Sequence, residues 1–402
     1  MVAMVSNLSD SFIPLSVSQM SGQEIASLSR AFESNWVSHL GHEVDAFERR
    51  FADYMQTQGA FATHSGTAAL HLAMRCLNVS AGDVVLCSSL TFVATLNPIL
   101  YTGAEPVFID SAYDTWGMCP EALARALLQL ESEGKTAKAI VVASLYGQSA
   151  DMVSITALAK EYGIPVIEDA CEALGGTFRG EKNGSFGTLS AFSFSGNKMI
   201  TTSAGGMLVT NDMEMIERAR WLGLQARDPG VVHYSHSSMG HNYRLSNVLA
   251  GVGLAQLDVL DDRVKARRAV YKRYQQAFEG HSELSVMAEP SGSRSSRWLS
   301  TVLVRDPIKH YVPDIIEGLW QKNIETRRVF WPMHRQPIGR CYRYFTAESG
   351  VSVADDLFER GLCLPSSSSL TVADQQRVVD ALLQSVGHAP AVGNSNVDGA
   401  LS

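Results

Sequence analysis

No lysine or arginine precedes Arg30, no two of the six cysteines form a Cys-x-x-Cys pair, and no uninterrupted apolar stretch approaches the roughly 18 residues of a membrane helix. The expectation is a chain without a secretory signal or a membrane span. Its thiols, Cys76, Cys87, Cys119, Cys171, Cys341 and Cys363, should be reduced and buried, as in a cytoplasmic protein. Positive charge is also in short supply. Lys and Arg number 33 against 41 Asp and Glu, and the net −8 is the wrong sign for non-specific attraction to nucleic acid or anionic lipid. Hydrophobic residues at 46% and charged residues at 18% match soluble globular proteins, which excludes global disorder and collagen-like sequence. A chain of 402 residues can hold two or three structural units.

Between Thr67 and Thr210, short β-branched runs alternate with helical patterns. The runs are Val84 to Cys87, Pro106 to Ile109, Ala139 to Ser144, Pro165 to Glu168, Leu189 to Phe194 and Gly206 to Thr210. Such alternation argues for an α/β protein with a mostly parallel sheet covered on both faces. Several runs end in polar or small residues, Asp110, Ser144 and Glu168-Asp169, where open α/β sheets place their ligands. A helical stretch through Leu260 and a charged helix from Asp261 to about Gly280 lead to a smaller α+β unit that opens with a strand at Trp298 to Val304. The expected partition is a large domain over 12–262, a small domain over 263–388, and flexible ends at 1–11 and 389–402.

Three elements carry chemistry. Lys198 lies among hydroxyls and glycines, between Ser193-Phe194-Ser195-Gly196-Asn197 and Thr201-Thr202-Ser203-Ala204-Gly205-Gly206, and a lysine amine can form an imine with an aldehyde. Glu168 and Asp169 end a buried strand, with Glu172 three residues on. A buried carboxylate needs a cationic or donor partner, and a pyridinium nitrogen is one. His64-Ser65-Gly66-Thr67 opens an apolar helix, and its free N–H groups and hydroxyls suit a phosphate. Each feature has an ordinary reading too: a surface lysine, a loop-capping aspartate, a helix cap.

These elements, with Leu90-Thr91-Phe92 and Gly240-His241-Asn242-Tyr243-Arg244-Leu245-Ser246, resemble the pyridoxal-phosphate-dependent sugar aminotransferases of the DegT/DnrJ/EryC1/StrS family from about Phe12 to Val386. Glu172-Ala173-Leu174-Gly175, the Ser293 to Thr301 segment and Glu325-Thr326-Arg327 are similar to the 4-aminotransferases of UDP-N-acetylbacillosamine synthesis. The resemblance implies the aspartate-aminotransferase-like fold, fold type I, with a mainly parallel seven-stranded sheet and a smaller C-terminal α+β domain. It implies pyridoxal 5'-phosphate held as an imine by Lys198, with Asp169 on the ring nitrogen, Gly66, Thr67 and Ser193 on the phosphate, and Phe92 stacked on the ring. Glu172 stands near the phenolic oxygen, where many members carry glutamine. Asn242 would reach the phosphate in a neighbouring subunit, which requires a homodimer with shared active sites. Trp36, His334 and Arg327 fall in segments that line the sugar-nucleotide site. The implied reaction moves the amine of L-glutamate to carbon-4 of a UDP-linked 4-keto-6-deoxy-N-acetyl-hexosamine.

Alternatives are a 3-keto sugar transaminase, a related dehydratase in which histidine replaces the lysine, and a non-catalytic protein on the same scaffold. His233, His236 and His241 lack a completing Cys or carboxylate and are read as structural or loop histidines, not metal ligands. The basic run Arg263, Lys265, Arg267, Arg268, Lys272 and Arg273 reads as the solvated face of a helix. Gly251-Val252-Gly253 falls within a helical pattern, so nicotinamide binding is rejected.

Overall fold

The computed structural model describes residues 12–230 and 232–387, so the expected flexible ends, 1–11 and 389–402, lie outside the described residues. Seven strands build the large sheet: β1 Gly59–Thr63, β2 Val84–Ser88, β3 Glu105–Ile109, β4 Ala137–Ala143, β5 Val166–Asp169, β6 Leu189–Ser193 and β7 Gly206–Thr210. Their order is β1-β7-β6-β5-β4-β2-β3, and an eighth strand, Tyr344–Phe345, lies beside β3. Only β7 runs antiparallel to its neighbours. The mainly parallel sheet is therefore present, and it is one strand wider than the seven expected. Phe108 N–H donates to Arg343 O at 2.8 Å and Asp110 N–H to Phe345 O at 2.9 Å, so a segment of the C-terminal third closes the β3 edge.

The period of two along each strand sorts the core. Val85 and Cys87 of β2 and Ala139 and Val141 of β4 meet the helices Gly66–Cys76, Val93–Tyr101 and Met213–Gly223. Val84 and Leu86, with Ile140 and Val142, meet the helices Pro120–Ser132 and Met152–Glu161 on the opposite face. Burial on both faces is why these strands read as continuous apolar runs. The helix Asn247–Leu257 contains the Gly251-Val252-Gly253 sequence. A Cβ on Gly253 would stand 2.7 Å from Phe47 Cζ, so this glycine serves close packing.

A second sheet, antiparallel throughout, has the order Leu284–Val286, Ser300–Val304, Gly361–Leu364, Arg327–Arg328. The helices Leu260–Ala277, Val312–Trp320 and Val372–Gly387 cover it through Tyr274, Leu319 and Leu382. The helix Leu260–Ala277 runs through the 262/263 boundary without a break. Its basic run is not a uniformly solvated face. Arg267 is buried, its Nη1 donating to Trp298 O and Ser366 O and its Nη2 to Ser16 Oγ, while Arg268 pairs with Glu289. Two carbonyls and a hydroxyl from three other segments hold a planar cation that periodicity alone assigns to water. The cysteines also depart from uniform burial: all six are free, but Cys341 is exposed and Cys171 only half-buried.

Candidate active site

A cleft of about 520 Å³ opens at the carboxyl ends of β4, β5 and β6 and is closed on its far side by residues of the second sheet. Its floor is set by β5. Successive residues of a strand face opposite ways, so the two consecutive acids at its end separate. Asp169 lines the cleft, its Oδ2 accepting from Thr95 Oγ1 at 2.6 Å and its Oδ1 from Cys171 N–H at 3.2 Å. Glu168 turns away, fully buried, and accepts from Gly184 N–H at 2.7 Å and Phe186 N–H at 3.3 Å. Burial pushes the Glu168 carboxyl up to about 7 against the pull of those amides.

Lys198 follows β6 on a turn closed by its N–H to Ser195 O at 3.0 Å. Its Nζ lies 3.2 Å from Glu172 Oε1 and 4.1 Å from the centroid of the Trp298 ring. Glu172 is held from its other side by Tyr146 N–H at 3.1 Å. Burial raises the Glu172 carboxyl while the Lys198 charge draws it back. Lysine and glutamate are thus paired, desolvated and aimed into one space.

The helix Gly66–Cys76 starts at the cleft wall. Ser65 caps it, its Oγ accepting from Ala68 N–H at 3.1 Å, and the first amides of a helix have no carbonyl one turn earlier to satisfy them. Gly66, Thr67 and Ser193 line this corner together. A Cβ on Gly66 would come within 2.8 Å of Cys171 Sγ and 3.0 Å of Ser193 Cβ, so glycine lets the helix start pack against this corner. Phe92, at the start of the helix Val93–Tyr101, is exposed at the mouth, its ring 5.8 Å from that of Phe330. Arg327 also stands at the mouth, with Nη2 2.6 Å from Glu325 Oε1.

The structure brings Lys198, Asp169, Glu172, Gly66, Thr67, Ser193, Phe92 and Arg327 into this cleft; it does not bring Trp36, His334 or Asn242 there. Trp36 is exposed, and its carbonyl accepts from Asn247 Nδ2 at 2.6 Å. His334 is fixed between Ser89 Oγ at 2.7 Å and Asp355 Oδ1 at 3.3 Å, with its ring stacked on Tyr344 at 3.7 Å. Asn242 lines a separate open groove together with Ser38, His39 and Trp221. Sequence reasoning overlooked Thr95, Tyr146 and Trp298 as site residues, and also Ser144, whose buried Oγ lines the cleft without a hydrogen-bond partner. Ser144 was signalled by its place at a strand end. Trp298 lies two residues before the strand Ser300–Val304 of the second sheet, and nothing local to it marks a cleft.

Pyridoxal phosphate presents an aldehyde, a ring nitrogen and a phosphate, and the cleft offers an amine, a carboxylate and an amide-lined helix start at three of its walls. The unpartnered, buried Ser144 hydroxyl is consistent with such a guest. Fold and cleft together define a pyridoxal-phosphate enzyme of fold type I. More closely, the chain belongs to the DegT/DnrJ/EryC1/StrS aminotransferase family, whose model matches residues 18–383. It is 50% identical over 371 residues to EpsN of Bacillus subtilis (strain 168), covering 92% of this chain and 95% of that one. It is 37% identical over 363 residues to the GDP-perosamine synthase of Escherichia coli O157:H7, covering 90% and 94%. The crystal structure of a DegT DnrJ EryC1 StrS aminotransferase from Brucella abortus superposes with a TM-score of 0.84 at 28% identity, over 91% of this chain and 96% of that one. The protein is a pyridoxal-phosphate-dependent sugar aminotransferase.

Proposed function

We propose that the protein moves an amino group from L-glutamate to carbon-4 of a UDP-linked 4-keto-6-deoxy-N-acetyl-hexosamine, giving a UDP-4-amino-4,6-dideoxy-N-acetyl sugar for bacillosamine-type glycan synthesis. The observation that carries the chemistry is the Lys198–Glu172 pair at 3.2 Å in the same cleft as Asp169. When bound, pyridoxal phosphate supplies an electron sink for the carbon that loses or gains a proton. Lys198 Nζ would hold the coenzyme and would be placed to move that proton. Asp169 would pair with the ring nitrogen. Gly66, Thr67 and Ser193 hold the phosphate, and Phe92 covers the ring face. Glu172 accepts a hydrogen bond from the lysine amine and holds it in reach. Arg327 receives substrate at the mouth of the cleft.

Trp36, His334 and Asn242 are assigned to the sugar nucleotide and to a second subunit. In support, Phe32, Trp36, Val37 and Leu40 expose apolar side chains on one segment, and Asn242 lies on the rim of a groove outside the cleft. A homodimer would cover such a surface. Among the described residues no helix is long and apolar enough to cross a membrane.

A second reading follows from the likeness to a GDP-perosamine synthase: the nucleotide is GDP. The deciding assay supplies the coenzyme-loaded protein and L-glutamate with UDP-linked 4-keto, GDP-linked 4-keto and UDP-linked 3-keto sugars in parallel, and identifies the amine by mass. Turnover confined to the UDP 4-keto arm is the expected result. Preference for the GDP arm transfers the conclusion to the second reading, and preference for the 3-keto arm refutes the regiochemistry.

A further inference from the structure

Two buried hydroxyls stand behind the Asp169 carboxylate. Thr95 Oγ1 donates to Asp169 Oδ2 at 2.6 Å, and Thr91 Oγ1 lies 2.6 Å from Thr95 Oγ1. Thr91 and Thr95 are each about 1% exposed, so bulk water does not compete for either contact. A hydroxyl carries one proton and an ionised carboxylate only accepts. Thr95 therefore commits its proton to Asp169 and must accept from Thr91, which gives the row one direction: Thr91 to Thr95 to Asp169. The two threonines, four residues apart, flank the start of the helix Val93–Tyr101, where Thr95 N–H donates to Phe92 O at 3.0 Å. That turn places both hydroxyls under the strand end.

The carboxylate is held at both ends. Oδ1 accepts from the Cys171 amide and Oδ2 from Thr95, so donors from two different elements block rotation of the group. The ionisable groups around it are Glu168 beside it on β5, Glu172 and Cys171 on the following turn, Lys198 after β6, and Cys87 on β2. Glu168 and Glu172 bring like charge and the thiols are apolar neighbours, which leaves Lys198 as the balancing cation. In that setting a donated, water-excluded hydrogen bond is a strong device for keeping a carboxylate both charged and aimed.

We propose that Thr95, backed by Thr91, is a positioning residue for the coenzyme: it locks the Asp169 carboxylate in the orientation that the ring nitrogen requires. The proposal rests on Asp169 being the ring partner. It concerns a residue that need not touch substrate or coenzyme to act.

The test is a pH titration of the visible absorption of the coenzyme-loaded protein, with the coenzyme dissociation constant measured alongside. Thr95→Val keeps the shape of the side chain and deletes the donor. A ring that carries less positive charge withdraws less electron density from the lysine-linked nitrogen, so the absorption midpoint should rise by about one pH unit. Coenzyme binding should weaken about tenfold, the worth of one charge-assisted hydrogen bond. Thr95→Ser should restore both values to within about twofold of the wild type, because it restores the hydroxyl. Thr91→Val, one step further from the carboxylate, should move the midpoint in the same direction by less, and it carries the comparison if Thr95→Val fails to fold. Asp169→Asn runs in parallel. An unmoved midpoint in the Thr95 and Thr91 variants beside a moved one in Asp169→Asn overturns the relay alone. An unmoved midpoint in Asp169→Asn overturns the ring-partner reading beneath it.

Discussion

Glu168 and Asp169 are neighbours in sequence, carry the same functional group and end the same strand, yet they serve different regions of the molecule. Asp169 faces a cleft with a lysine, a threonine donor and an open helix start. Glu168 faces the turn that holds Gly184 and Phe186 and does not line that cleft. The pleat of a strand is enough to assign one acid to chemistry and the other to architecture. If that division is right, variants on the two faces should fail in opposite ways, activity without stability on one side and stability without activity on the other.

Lys198→Ala should give the largest effect, a loss of turnover of roughly 10³-fold or more, since it removes the proton carrier. Steady-state kinetics beside calorimetry would show it, and a residual rate near that of the wild type would end the assignment. On the other face, Glu168→Gln should leave turnover close to wild type and change the pH dependence of stability. Its folded-state carboxyl is raised from 4.5 to about 7, so the folded form holds a proton that the unfolded form has released over that interval. The glutamate's contribution is therefore fully present below about 4.5 and is lost as pH climbs through 7, by on the order of 3 kcal/mol. Denaturant melts of the two proteins from pH 4.5 to 8 should show the wild type losing stability relative to the variant by that amount as pH rises, and parallel curves would contradict the burial argument.

Asp169→Asn should cost roughly 10²-fold in turnover, the upper range for a bond to a charged group, at nearly unchanged stability. A variant that melts early instead would move Asp169 to the architectural side. Asn242→Ala is the mildest, with coenzyme binding weaker by about tenfold. That loss should be rescued in mixed dimers whose cleft faces an intact partner. Absence of rescue would return Asn242 to its own chain.

The core of this division was legible before any coordinates. β-branched runs located β2 to β7, and a lysine among glycines, an acid at a strand end and a hydroxyl-capped apolar helix each declared a chemical type. β1 was not legible in that way, because Gly59, Ala60, Phe61 and Ala62 show little β-branched character and become a strand only by pairing with β7. Tyr146, Trp298 and Arg327 meet at the cleft from segments more than a hundred residues apart in places, and no local pattern encodes that meeting. Arg267 shows the opposite limit: its helix-face spacing is that of a solvated residue, while distant carbonyls enclose it. Trp36, His334 and Asn242 matched family segments, yet within one chain they lie outside the cleft; His334 is already committed to Ser89 and Asp355.

The short strand Tyr344–Phe345 has a consequence for biosynthesis. A row of unpaired amides and carbonyls along β3 stays open from the time β3 leaves the ribosome until residue 345 follows, and exposed edges of this kind recruit other nascent chains. The order in which the polypeptide is made thus leaves the sheet unsealed for more than two hundred codons, and early termination upstream of Tyr344 would yield a product with a permanently adhesive flank.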